Sequence, residues 1–114
     1  MNTGRISRYE HEELRTLASG SMLTTYVAVG TAMENALIKY RIVNETDANL
    51  TISFDGVTDH DRIPANTAYI DDAALESGGS SRLAKGTTIY VKYDLGAGPT
   101  TGDVFVTAIY NKYL

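Results

Sequence analysis

The sequence has no cysteine and no tryptophan, and only two prolines and two histidines. Without cysteine there is no disulfide, no thiolate nucleophile and no cysteine-held zinc or iron–sulfur centre. His11 and His60 are too few for a three-histidine metal site within one chain. Positive charge is short as well: ten Lys and Arg against fourteen Asp and Glu leave a net charge of −4. That balance argues against a protein that wraps nucleic acid by neutralising phosphates. No apolar run approaches the roughly 20 residues of a membrane-spanning helix, and the first residues lack the apolar centre of a signal peptide. The expectation is a small, soluble, acidic domain made inside a cell. Its 114 residues suit one domain, and 43% hydrophobic with 21% charged residues is the balance of a globular chain.

What is present is mostly β pattern. Residues 1–20 stand apart as a polar N-terminal arm with Arg5, Arg8, Glu10, His11, Glu12, Glu13 and Arg15. Its apolar positions, Ile6, Tyr9, Leu14 and Leu17, fit no single face, so both a short helix over 10–17 and an extended arm are open. The arm reads either as a frayed terminus or as a segment that docks on a neighbouring subunit and orders there. Residues 21–114 form the β domain. Met22 to Val29 is rich in β-branched and aromatic residues. Over 36–43, Ile38, Tyr40 and Ile42 alternate with Lys39 and Arg41, and over 49–54 Leu50, Ile52 and Phe54 share one face, the period-two signature of half-buried strands. Asn44–Ala48 between them reads as a hairpin loop, and Asp55-Gly56 as a tight turn. Thr67–Ile70 is a short strand candidate, 72–76 a single helical turn, and 78–81 a flexible surface loop.

The last third is the clearest. Ile89, Val91 and Tyr93 alternate with Thr88, Tyr90 and Lys92. In the final strand Val104, Val106 and Ala108 oppose Phe105, Thr107 and Ile109. Both faces are apolar, so this strand is expected to be central or covered twice. About seven to eight short strands at spacings near ten residues, with no long helical pattern, predict an antiparallel β-sandwich or jelly roll.

Chemistry-bearing patterns are thin. No G-x-S-x-G elbow and no phosphate-cradling glycine loop occurs. His60 lies between Asp59 and Asp61, but neighbours along an extended strand point to opposite faces, so neither is placed to orient the ring. Asp55, Asp59 and Asp61 are the one metal-like cluster; their spacing is not that of an EF-hand, and calcium binding there stays open. Paired acids for glycoside hydrolysis are set by space rather than spacing. The expectation is no enzyme, no catalytic residue, no cofactor and no assigned metal ligand.

The runs TYVAVGT at 25–31, the strand at 38–43, NETD at 44–47 and ISFDGVTD at 52–59 resemble small virion proteins of tailed bacteriophages. The runs IPAN at 63–66, GTTIYVK at 86–92 and PTTGDVFV at 99–106 extend the likeness over roughly residues 15–110. The resemblance implies a structural protein without catalysis, nearest to capsid decoration (cement) proteins with a jelly-roll core. Made in the host bacterial cytoplasm, such a protein ends in the virion as a homo-oligomer bound to the major capsid protein, touching neither nucleic acid nor membrane. Arg5, Arg8, Arg15, Tyr90 and Tyr113 are the candidate protein contacts. A head–tail junction or tail accessory protein is the alternative. A carbohydrate-binding module, with Tyr90 or Tyr93 as stacking platforms and an Asp-lined calcium site, is the rival from another class.

Overall fold

A computed structural model describes residues 7–72 and 82–113, except the side chains of Ser7, Asp71, Asp72 and Tyr113. Among the described residues nine strands follow one another: β1 (Ser7–His11), β2 (Arg15–Ala18), β3 (Val27–Ala28), β4 (Leu37–Asn44), β5 (Leu50–Ser53), β6 (Asp61–Ile63), β7 (Thr67–Asp72), β8 (Tyr90–Tyr93) and β9 (Asp103–Tyr113). They form two antiparallel sheets. The larger has the order β1-β9-β4-β7, with β2 also pairing β9, and the smaller has the order β3-β8-β5-β6. The fold is a β-sandwich.

The core lies where alternation puts it. Leu37, Tyr40 and Ile42 of β4 and Val104, Val106 and Ala108 of β9 face Leu50, Ile52, Ile63 and Val91 of the smaller sheet, all buried. Each fully buried Leu, Ile or Val contributes roughly 1.5–3 kcal/mol relative to exposure. Tyr40 meets Phe54 edge-on, with ring centroids 5.9 Å apart. A register shift between Leu37 and Lys39 delivers Leu37 into the core at the end of β4 and leaves Ile38 half-buried.

Three sequence expectations change. The arm over 1–20 is not a separate appendage in its described part. Ser7–His11 and Arg15–Ala18 are strands of the larger sheet, both antiparallel to β9, the first from Ser7↔Tyr113 to His11↔Ile109 and the second from Arg15↔Val106 to Ala18↔Asp103. No helix forms over 10–17, because the amides find partners along β9 that no local turn offers. The 44–48 segment is not a hairpin loop. β4 and β5 belong to different sheets, so this segment is a crossover, and the Asn44 side chain holds it. The Met22–Val29 run contributes only Val27–Ala28 as strand. The helical turn expected over 72–76 and the 78–81 loop lie outside the described residues, apart from the backbone of Asp72, which ends β7.

Gly102 shows why the crossover sits so close to β9. Its φ is +89°, and a Cβ there would lie 2.1 Å from the Glu45 carbonyl oxygen. Gly102→Ala combines a left-handed backbone penalty with a clash against main chain. The expected cost is about 2–3 kcal/mol, read as a lower denaturant midpoint with an unchanged m-value.

Candidate functional site

The ionisable side chains divide into groups that hold the chain's own backbone and groups that face outward. Glu12 and Arg15 belong to the first. Between β1 and β2 the chain turns both side chains inward, to 3% and 5% exposure, and their ion pair is 3.0 Å long. Arg15 also donates to the carbonyls of Glu13, Thr31 and Ala32. Glu12 accepts from Asn35 Nδ2 at 2.6 Å and from the Glu34 amide at 3.3 Å. Gly30 permits this approach: a Cβ there would sit 2.3 Å from Arg15 Cγ. Burial alone would raise the Glu12 carboxyl, but the bonds from Asn35, the Glu34 amide and Arg15, with the Arg15 charge, hold it below the ordinary glutamate range.

Loops use carboxylates the same way. Asp55 accepts from the amides of Thr58 and Val57 and from the Ser53 hydroxyl, which holds it well below the usual carboxylate range. Asp47 accepts from the Thr100 hydroxyl and amide, tying the crossover to the β8–β9 connection and lowering its pKa. His60 Nδ1 accepts from the Phe54 amide at 3.0 Å, so the histidine closes the β5–β6 loop.

On the smaller sheet's outer side, Tyr26 donates to Asp59, Lys92 pairs with Asp59 at 3.2 Å, and its ammonium lies 4.6 Å from the Tyr26 ring centroid. Tyr26 is raised by burial and by its hydrogen bond to the Asp59 carboxylate and that group's charge; Asp59 is lowered by Tyr26 and Lys92. Arg62 pairs with Asp94 at 3.4 Å. Cations and carboxylates on this face therefore pair with one another.

These directions fix a pH profile. Glu12, Asp47, Asp55 and Asp59 release their protons more readily folded than unfolded. The stability they supply is present above the unfolded carboxyl range of about 4 and is lost as pH falls through the folded values. Tyr26 works oppositely: its contribution is present below about pH 10 and is lost at higher pH. Urea midpoints should be flat near neutrality, fall below about pH 4, and fall less in an Asp55→Asn variant, which starts lower.

The larger sheet's outer face is built differently. Cross-strand register places His11, Ile109, Lys39 and Asp72 in one row, Thr107, Arg41 and Ile70 in the next, and Phe105 with Val43 below. Val43, Phe105, Thr107 and Ile109 are half-buried by their neighbours, and Ile70 is 58% exposed. His11, Lys39, Arg41, Ile70, Thr107 and Ile109 line an open groove of about 260 Å³. Arg41 is exposed and has no hydrogen-bond or ion-pair partner among the described residues. The second apolar face of β9 is thus central within its sheet, and no described strand lies over it.

The expected contact residues scatter. Arg8 is exposed at the sheet end and pairs with Glu10. Arg15 is buried in its own chain's ion pair, which removes it as an outward contact. Tyr90 is half-buried, and a Cβ on Gly56 would lie 3.2 Å from its ring. Tyr93 likewise lies under Gly98, so both rings are covered on one side by the chain itself. Tyr113 lies in β9 with its side chain outside the description, and Arg5 lies outside the described residues. Asp55, Asp59 and Asp61 do not converge: among the described residues no three His, Asp or Glu side chains come close enough to hold a metal ion. Arg41, Ile70 and Phe105 were not singled out from sequence. The signal for their face was the two-sided apolar pattern of 104–109.

No family model matches the chain, and no curated protein sequence matches it. Among solved structures it is similar to a chain described under the words "Bacillus endospore appendages form a novel family of disulfide-linked pili". That match covers 96% of this chain and 92% of the other, with 16% identity and a TM-score of 0.49.

Proposed function

We propose that the chain is a non-enzymatic structural protein of a tailed-phage particle, a capsid decoration protein that binds the head shell and stiffens it. The observation that carries this reading is the larger sheet's outer face, where Ile70, Phe105 and Ile109 sit among His11, Arg41 and Thr107 with no described strand packed on them. Apolar side chains left within reach of solvent around an open groove suit an interaction surface. The resemblance of residues 15–110 to small virion proteins supplies the kind of particle.

The body suits the task. Buried polar side chains such as Asn44, Glu12 and Arg15 bond to the chain's own backbone, giving a stiff block rather than an adaptable one. The polar N-terminal stretch joins that block as β1 and β2, so the partner meets a preformed sheet and little ordering cost opposes docking. Many copies on a symmetric shell then add weak contacts into firm attachment. The major capsid protein is the partner this reading names, with copies acting as a homo-oligomer on the shell.

Quantitative mass spectrometry of purified particles tests the reading. A copy number in fixed proportion to the shell subunit is expected. A number matching a single ring would move the protein to the head–tail junction, and absence from the particle would overturn the proposal.

A further inference from the structure

Resting on that reading, we infer that the outer face of the five-stranded sheet is the docking surface, and that its partner is an apolar protein surface carrying a carboxylate that receives Arg41. The two outer faces differ in a way that selects this one. On the smaller sheet, Lys92 is paired with Asp59 and Arg62 with Asp94, so docking there would break existing pairs. On the larger sheet the guanidinium of Arg41 lies in the same cross-strand row as Ile70 and Thr107, and the half-buried Phe105 and Ile109 flank that row.

Charge picks the occupant. Arg41, exposed and without an ion-pair partner among the described residues, lines this groove in a chain whose net charge is −4. A carboxylate-bearing partner complements that groove, whereas the acidic remainder of a second copy is repelled at longer range. Guanidinium and carboxylate meet through two parallel hydrogen bonds, a geometry that arginine provides and lysine does not. The surrounding aliphatic and aromatic groups exclude water from that pair, which strengthens it. A phosphate backbone would satisfy Arg41 but not Ile70 and Phe105, so a protein surface fits better than nucleic acid.

The test uses the full chain and emptied heads of the encoding phage that lack it. Binding is measured by co-sedimentation at two salt concentrations for the native chain, Arg41→Glu, Ile70→Asp and Arg62→Glu, with thermal melts to confirm folding. The first two variants are expected to bind about tenfold more weakly or worse, with melts close to native, while Arg62→Glu binds as the native chain does. Native binding should also weaken with salt. If the native chain binds and all three variants bind equally, this face is wrong while the decoration reading stands. If the native chain leaves the heads bare, the decoration reading falls and the named partner with it. Sedimentation velocity of the chain alone and titration with a short DNA duplex complete the set. Self-association or duplex binding that Arg41→Glu abolishes would assign the face to a second copy or to phosphate, and would overturn the partner inferred here.

Discussion

Replacing Asn44 with alanine is expected to lower the stability of the folded chain by about 3–4 kcal/mol. Asn44 is fully buried where β4 ends and the chain crosses to the other sheet. Its Nδ2 donates to the carbonyls of Ala48, Ile63 and Pro64 at 2.9, 3.2 and 3.1 Å. Its Oδ1 accepts from the amide and the hydroxyl of Thr46 at 3.0 and 2.6 Å. One side chain thus binds both ends of the crossover and the exit of β6. Alanine leaves several buried groups without partners, and each orphan costs about 1–3 kcal/mol, offset in part by relaxation. Asn44→Asp keeps the shape but removes both donor hydrogens, so it should be at least as damaging. Urea denaturation of the three proteins at neutral pH decides the matter. A loss under about 1 kcal/mol would show that the crossover is held elsewhere.

Arg15→Ala should cost about 3–5 kcal/mol, because it strands the Glu12 carboxylate at 3% exposure. The loss is larger than removal of a contact, since three backbone carbonyls also lose their donor. The comparison that identifies the cause is the double variant Glu12→Leu with Arg15→Met. Removing both charges together removes the desolvation problem, so the double variant should be more stable than Arg15→Ala. Thermal melts will report it: a loss of this size lowers the midpoint by roughly 10–20 °C in a chain of this length. If the double variant is the worst of the set, the pair contributes net stability rather than specifying the path of the N-terminal strands.

The inward positions of the aliphatic strands could be read from the chain. Leu50 and Ile52, Ile89 and Val91, and Val104, Val106 and Ala108 alternate as the core requires. β1 and β2 could not, because the turn between them buries Glu12 and β2 opens on the buried Arg15, polar residues whose burial depends on partners in 31–35. The crossover was misread for a related reason. Asn44, Thr46 and Asp47 have the same turn chemistry whether the chain doubles back or changes sheet, and only the reach of Asn44 to Ile63 and Pro64 distinguishes the two. As for the site, the two apolar sides of β9 were legible, but Arg41 and Ile70 join them only through cross-strand register. Arginine 15 looked like an outward contact because sequence gives charge without burial.

Hydroxyl-radical footprinting of the chain on phage heads, read residue by residue by mass spectrometry, tests the central claim most directly. Ile70 and Phe105 should become protected on binding, while Val57 and Leu95, exposed at loop tips of 54–60 and 94–102, should react as they do in the free chain. Protection of Val57 and Leu95 with Ile70 left reactive would contradict the account.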